Sequence, residues 1–520
     1  MLARAHTFTI EGLHTRHVTV EVDVRAGLPG FAIVGLADTA VREARERIHT
    51  AIVNSEYEFP ARRITANLAP GDVRKAGAGL DLAIACALLA ASGQLPTAAL
   101  ERVALFGELA LDGTVRPCRG ALAIAQATQR AGMRALALAG ACAHEARLID
   151  GLQVTVVEHL RSAVRVLNGG PGDALPPARA AAGVSTVGPA CAVRPADAPA
   201  LQGPDLSDVR GQHHAARALV IAAAGAHNTL LSGPPGTGKT MLAQRLPAIL
   251  PPLSAAEAVE VTRIHSLTGT RVTALATSRP FRAPHHSITA AGLVGGASHG
   301  TIGEVVLAHN GVLFLDELSE FSRATLQALR QPLEDGRVAI SRAQHSAVYP
   351  TRFMLIAATN PCPCGHAGDG PRCKCSEAEK ARHHRRLSGP LLDRIDLLAD
   401  LQREAAADAR APALFSSAQA REQVACARER QAARLREEGV AVNAHMTAPM
   451  LARHVRLDDR GEGLLRRACE RGMLSARGEH RVLRVARTIA DLDGSARVRA
   501  KDVGAALALR PEASAAARAA

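Results

Sequence analysis

The stretch Gly233-Pro234-Pro235-Gly236-Thr237-Gly238-Lys239-Thr240 constrains this chain more than any other. It follows the spacing G-x-x-x-x-G-K-[ST], a loop whose backbone N–H groups wrap the phosphates of a nucleoside triphosphate. Leu230-Leu231 before it reads as a strand, and Met241, Leu242 and Leu246 after it share one face of a helix. Strand, glycine-rich loop and helix is the setting such a loop requires. Glycine permits the backbone to curl, and the new helix adds the positive end of its dipole. Lys239 is expected to reach the β- and γ-phosphates, and the Thr240 hydroxyl to ligate Mg²⁺. The predicted nucleotide contacts are the eight loop residues and Met241.

A phosphate loop needs a carboxylate to hold the metal and a group to activate water. Val312-Leu313-Phe314-Leu315 reads as a buried parallel strand, and Asp316 and Glu317 stand at its C-terminal end, where α/β sheets bind ligands. Asp316 is expected to hold Mg²⁺ and Glu317 to accept a proton from the attacking water. A second buried-strand pattern, Phe353 to Ala358, ends in Thr359-Asn360. The Asn360 amide can bond both the γ-phosphate and the lytic water. Farther on, Ser388-Gly389-Pro390-Leu391-Leu392-Asp393-Arg394-Ile395-Asp396 puts Arg394 in a turn. Its guanidinium could reach a neighbouring subunit's γ-phosphate, a contact that contributes roughly 10³–10⁵ in rate. The same spacing equally allows a surface pair with Asp393 or Asp396.

At 520 residues the chain exceeds one core, and 47% hydrophobic with 21% charged residues is a globular composition. A net charge of +13 suits a polyanionic partner such as nucleic acid, although an evenly basic surface gives the same number. With no Trp and two Tyr, contact with phosphates is favoured over base stacking. The N-terminus lacks the apolar core of a signal peptide. The longest apolar run, Leu82 to Ala91, falls short of the ~18 residues that span a bilayer, so a soluble, cytoplasmic protein without membrane partner is expected. Ten cysteines in such a chain are no disulfide framework. Four of them, Cys362, Cys364, Cys373 and Cys375, form two C-x-C pairs that can close a tetrahedral Zn²⁺ site; a reduced, metal-free loop is the alternative.

Along the chain, residues 1–168 read as an α/β domain. Strand patterns cover Phe8–Ile10, His17–Val22, Phe31–Val34 and Val103–Leu109, and helical ones 38–54, Asp81–Ala91 and Ala121–Ala131. Residues 169–204 form a Pro/Ala/Gly-rich linker. Residues 205–400 carry the nucleotide-binding core. Residues 401–512 open with a short polar connection and continue with helical periodicity, and 513–520 are an Ala-rich tail expected to fray.

The ordered set Asp205-Leu206-Ser207-Asp208-Val209-Arg210-Gly211-Gln212, phosphate loop, Asp316-Glu317, Asn360, Arg394 and C-terminal helices resembles an AAA+ ATPase. More narrowly it is similar to the magnesium-chelatase-like family of the competence-protein ComM type. That likeness rests on Asn67-Leu68-Ala69-Pro70, Arg279-Pro280-Phe281-Arg282-Ala283-Pro284-His285-His286, Leu329 to Gly336, Asn360 to Gly365, Ser475-Ala476-Arg477 and Val485 to Leu492. The resemblance implies an α/β multidomain chain with three parts. These are an N-terminal Lon-protease-like (ribosomal S5 domain 2-like) domain, a P-loop AAA+ αβα core and a C-terminal helical lid. It further implies that Arg394 acts in trans as a finger and that Arg477 on the lid reads phosphate in cis. Arg481 and Arg484 lie within a turn of Arg477, and Glu479 stands where the family often has an aromatic residue.

In similar motors, loops corresponding to 262–300 and to the hairpin 335–350 line a pore and grip DNA. The first of these holds Arg263, His265, Arg271, Arg279, Arg282, His285 and His286. The histidine pair reads as a packed loop, since zinc sites need three or four ligands. A Lon-type peptidase needs a Ser nucleophile and a Lys base. At the corresponding stretches, Lys75 to Leu80 and Arg119 to Ala123, neither is present, so the N-terminal domain is expected to be non-proteolytic. The implied function is a Mg²⁺-dependent ATPase forming a homo-oligomeric ring, a hexamer. It would drive helicase or branch-migration work on single-stranded or branched DNA during natural transformation. The alternatives are a magnesium-chelatase motor subunit, an ATP-dependent protease or unfoldase, and a protein-remodelling chaperone without DNA translocation.

Overall fold

The computed structural model of the chain describes residues 1–36, 38–73, 75, 77–173, 204–268, 272–296, 302–342, 345–367, 372–387, 391–402 and 415–510. Most of the linker, the polar connection from 403 on and the Ala-rich tail lie outside these residues. The chain folds as two compact units: Met1–Cys191 with Ala258–Ala276, and Ala192–Glu257 with Thr277–Ala520. Both are mixed α/β structures with parallel strand pairs.

In the first unit the strands are β1 (Leu2–Glu11), β2 (His14–Arg25), β3 (Gly30–Val34), β4 (Arg63–Ala69), β5 (Val103–Phe106), β6 (Glu108–Leu109), β7 (Val115–Arg116), β8 (Ala135–Leu138) and β9 (Gln153–Val156). Seven make one sheet in the order β3-β4-β2-β1-β5-β8-β9, and β6 pairs with β7. β1 begins earlier than the pattern Phe8–Ile10 suggests, because Ala3 and Ala5 bury beside Val18, Val20 and Val22 of β2. The stretch Val103–Leu109 is two strands, broken at Gly107, where a Cβ would come within 2.5 Å of Val115 Cγ1.

Helix Asp81–Ala91 is buried along its whole length, as an element apolar on every side must be. Its first residue is the exception in kind. Asp81 accepts from Arg47 at 3.0 and 3.2 Å and from the Leu109 N–H at 3.3 Å. Burial nevertheless pushes its carboxyl up to about 6, against the pull of Arg47.

The second unit is built on β10 (Thr229–Ser232), β11 (Phe281–Arg282), β12 (Val312–Leu315), β13 (Arg337–Arg342), β14 (His345–Pro350), β15 (Met354–Thr359) and β16 (Leu397–Asp400). Five of these form a parallel sheet in the order β11-β12-β15-β10-β16, and β13 and β14 make an antiparallel hairpin. β10, β12 and β15 are buried at every position, the condition of central parallel strands covered on both faces. Because β15 lies between β12 and β10, the C-terminal ends of all three strands are neighbours.

The C-terminal helices Ser417–Arg434, Ala448–His454, Asp459–Glu470, Ala476–Leu492 and Ala500–Ala508 belong to this unit. They meet the sheet through a buried polar network. His227 bonds Asp396 at 3.2 Å and Thr488 at 2.8 Å, Asn443 bonds Thr488 at 3.0 Å, and Arg434 and Arg487 pair with Asp491 at 2.7 and 3.1 Å. Buried polar contacts of this kind favour one relative placement of the elements they join, although Arg434 Nε and Arg487 Nε have no hydrogen-bond partner among the described residues. Among the described residues, no helix is long and apolar enough to cross a membrane.

Candidate active site

The loop after β10 runs from Gly233 to Gly238 and enters helix Lys239–Gln244. Gly236 and Gly238 adopt φ of +79° and +86°, left-handed conformations that side chains disfavour. Gly233 is required for another reason: a Cβ there would stand 2.4 Å from the Leu401 carbonyl oxygen. Thr237 Oγ1 donates to Pro234 O at 2.8 Å and braces the loop from within. The buried Lys239 ammonium donates to Gly233 O at 2.5 Å, Pro234 O at 2.9 Å and Asn360 Oδ1 at 3.0 Å. Burial lowers its pKa, and the charges of Asp316 and Glu317 act in the opposite sense.

Neighbouring strand ends supply the rest. Thr240 Oγ1 donates to Asp316 Oδ2 at 2.6 Å. These are hard oxygen donors, one hydroxyl and one carboxylate, and such a pair fits Mg²⁺, which keeps its other positions for water and phosphate. Glu317 follows in a left-handed conformation at φ +51°, its N–H donating to Asp316 Oδ1 at 2.9 Å. For a non-glycine residue this costs about 1–3 kcal/mol, and such strain gathers at functional sites. It leaves the Glu317 carboxylate exposed at the mouth of the site. Pro235 to Met241, Asp316, Glu317 and Asn360 line one cavity of about 420 Å³. The structure therefore brings together Lys239, Thr240, Asp316, Glu317 and Asn360.

It does not bring Arg394 or Arg477 there. Arg394 lines a separate cavity of about 480 Å³ with Glu334, Arg481 and Arg484. Its guanidinium is ion-paired with Glu334, and burial and the charges of Arg330, Arg477 and Arg481 lower its pKa. Arg477 is exposed in the first turn of helix Ala476–Leu492, whose N-cap Ser475 accepts from the Gly478 N–H.

Family models match three stretches that together cover most of the chain. Residues 205–409 match "Magnesium chelatase, subunit ChlI", 20–141 match "Subunit ChlI of Mg-chelatase" and 415–510 match "Magnesium chelatase, subunit ChlI C-terminal". The chain belongs to the magnesium chelatase ChlI family. Within it, the chain is 43% identical over 512 residues to an uncharacterized protein of Mycobacterium tuberculosis, covering 98% of both. It is 42% identical over 505 residues to YifB of Escherichia coli, covering 95% of this chain and 94% of that one. Competence protein ComM of Haemophilus influenzae is 41% identical over 512 residues, 98% of this chain and 97% of its own.

Several basic residues of this ChlI-family chain that were expected to lie on loops gripping a polyanion have internal partners. Arg279 pairs with both oxygens of Glu257 at 3.1 Å, and Arg282 with those of Glu304 at 2.6 and 2.8 Å. Arg263 lies in the first unit and donates to Gln126 at 3.2 Å. Arg271 lies outside the described residues. The His285 and His286 rings lie with centroids 4.0 Å apart and planes tilted by 34°, and His286 Nδ1 stands 3.6 Å from Glu317 Oε2.

That last contact is a functional candidate the sequence pattern did not reveal. Another is His383, whose Nε2 lies 2.9 Å from the Asn360 carbonyl oxygen. Nothing in the sequence spacing signals either, since both partners are brought in from distant segments. The four clustered cysteines do converge. Backbone donation from His366 lowers the pKa of the Cys364 thiol, while burial raises that of Cys362.

Proposed function

We propose that this chain is a Mg²⁺-dependent ATPase that assembles into a ring, a hexamer, and uses hydrolysis to move DNA. The observation that carries the reading is the convergence of Lys239, Thr240, Asp316, Glu317 and Asn360 on one cavity, with Arg394 held elsewhere. Lys239 binds the β- and γ-phosphates with its ammonium. Thr240 and Asp316 hold Mg²⁺, which when bound neutralises phosphate charge. Glu317 takes a proton from the attacking water, and Asn360 orients that water against the γ-phosphate.

Arg394 completes the site from a neighbouring subunit. Its partner Glu334 keeps the guanidinium in a fixed direction, and the surrounding Arg330, Arg477 and Arg481 make that face electropositive. Arg477 lies near Arg394 and not at the phosphate loop, so in this reading it reads phosphate within its own subunit only after its helix moves toward that loop. The N-terminal unit acts as a non-proteolytic platform.

For DNA as the track, the support is the net charge of +13 and the full-length similarity to a relative named as a competence protein. The work proposed is helicase action or branch migration on single-stranded or branched DNA, in the cytoplasm, during natural transformation. Hydrolysis should rise with single-stranded DNA, and the rise should shrink as salt increases, because phosphate contacts release counterions. Rates indifferent to DNA at both low and high salt would remove DNA as the track.

The family description favours a second reading, a chelatase motor subunit that drives Mg²⁺ into a porphyrin. Co-purification with a large porphyrin-binding partner, together with hydrolysis indifferent to DNA, would select it.

A further inference from the structure

Asn360 is the last residue before a short segment that holds four cysteines. Cys362 Sγ is 3.4 Å from Cys364 Sγ and 3.9 Å from Cys373 Sγ, and Cys364 Sγ is 3.8 Å from Cys373 Sγ. With Cys375 added, all four sulfurs lie within 4.8 Å of one another. Zn–S bonds of about 2.3 Å in a tetrahedron put the sulfurs about 3.8 Å apart, so these separations are those of one ion's ligands. They are far too long for disulfides, whose sulfurs stand about 2.0 Å apart. They are also too close together for thiolates spread over the irons of a cluster. The Ala367 N–H donates to Cys362 Sγ at 3.2 Å, the kind of outer contact that steadies a metal thiolate.

We propose that Cys362, Cys364, Cys373 and Cys375 hold one structural Zn²⁺ that fixes Asn360 against the phosphate loop. Two contacts carry the second half of that statement. Gly365, inside the first cysteine pair's turn, is seated so closely on the loop that a Cβ there would lie 2.6 Å from Pro235 Cδ. Helix Glu377–Leu387 starts just after Cys375, and its His383 returns to hold the Asn360 carbonyl oxygen at 2.9 Å. One ion thus joins the segment leaving Asn360 to the helix that comes back to it. His383 and the zinc are positioning groups; neither touches the reacting atoms.

The test uses the full chain purified without chelator from medium containing zinc and iron. Elemental analysis should find about one zinc per chain, and Cys373→Ser/Cys375→Ser should lose it. Substoichiometric zinc, iron in its place, or zinc retained by the double variant overturns the site. Stripping the wild-type protein with a mercurial thiol reagent avoids reliance on the variant's folding. Amide exchange should then speed up over residues 359–367 and 377–387 while helix Asp81–Ala91 keeps its protection. Unchanged exchange there overturns the clamp. A further readout rests on the ATPase reading: stripping should lower kcat by about 10–10²-fold and leave nucleotide affinity in place. Zinc and exchange data stand whether or not hydrolysis occurs, so failure of the ATPase reading is told apart from failure of the site.

Discussion

The Lys239 ammonium donates to the Asn360 amide oxygen at 3.0 Å, joining two residues 121 positions apart at the mouths of adjacent strands. The loop lysine and the residue expected to sense the γ-phosphate are thereby one unit, and their variants should separate binding from chemistry. Lys239→Ala is expected to abolish nucleotide binding. Asn360→Ala should keep affinity within a few-fold and lower kcat by about 10²-fold, the cost of a misoriented nucleophile. Titration with a fluorescent nucleotide and steady-state hydrolysis check both; equal losses of affinity in the two variants would contradict the division.

Glu317 is exposed, strained and unneeded for packing, so its replacement isolates the proton transfer. Glu317→Gln is expected to bind nucleotide normally and to hydrolyse it about 10²–10⁴-fold more slowly. Single-turnover hydrolysis with prebound nucleotide reads this. A loss of less than tenfold would assign the base elsewhere, with His286 as the first group to examine.

Arg394 stands in a different cavity from Lys239, and a finger acting between subunits predicts complementation. Arg394→Ala should bind nucleotide like wild type but hydrolyse it about 10³-fold more slowly. Mixing it with Lys239→Ala chains should restore part of the rate, since each lends the other its intact half. Mixtures no more active than their components would place the guanidinium's role within one subunit.

Much of this site was legible in the sequence because its signals are local. The glycine spacing around Lys239 and the unbroken apolar runs Val312–Leu315 and Met354–Ala358 each point to one element. Their acids and amide then fall at the strand ends. What was not legible depends on distant partners. Arg279 and Arg282 look like free cations until Glu257 and Glu304, each 22 residues away, are folded onto them. Helix Ala255–Leu267 buries Val261 and Ile264, a pattern that is the same whichever surface covers it, so its membership in the first unit from Ala258 on could not be read. His383 and the contact of His286 with Glu317 escaped for the same reason, as did the order of strands in each sheet.

Asp81 supplies a test of the first unit that is independent of nucleotide. Its carboxyl is pushed from an ordinary 3.8 up to about 6, chiefly by burial. Between about pH 4 and 6 the folded state therefore holds more protons than the unfolded one, and this group's contribution to stability falls as pH rises through that window. Asp81→Asn does not titrate there. The unfolding free energy of wild type minus that of the variant should drop by at most about 3 kcal/mol from pH 4 to pH 7. Urea unfolding of both proteins across that range measures it; a flat or rising difference would show that Arg47 keeps the carboxylate charged throughout.

The central claim is that hydrolysis at this cavity becomes movement along DNA, and strand displacement from a forked or branched duplex tests it most directly. Wild type with ATP and Mg²⁺ is expected to separate the strands, while Lys239→Ala and Glu317→Gln leave them paired. A wild-type protein that hydrolyses ATP at full rate yet never displaces a strand would contradict the account.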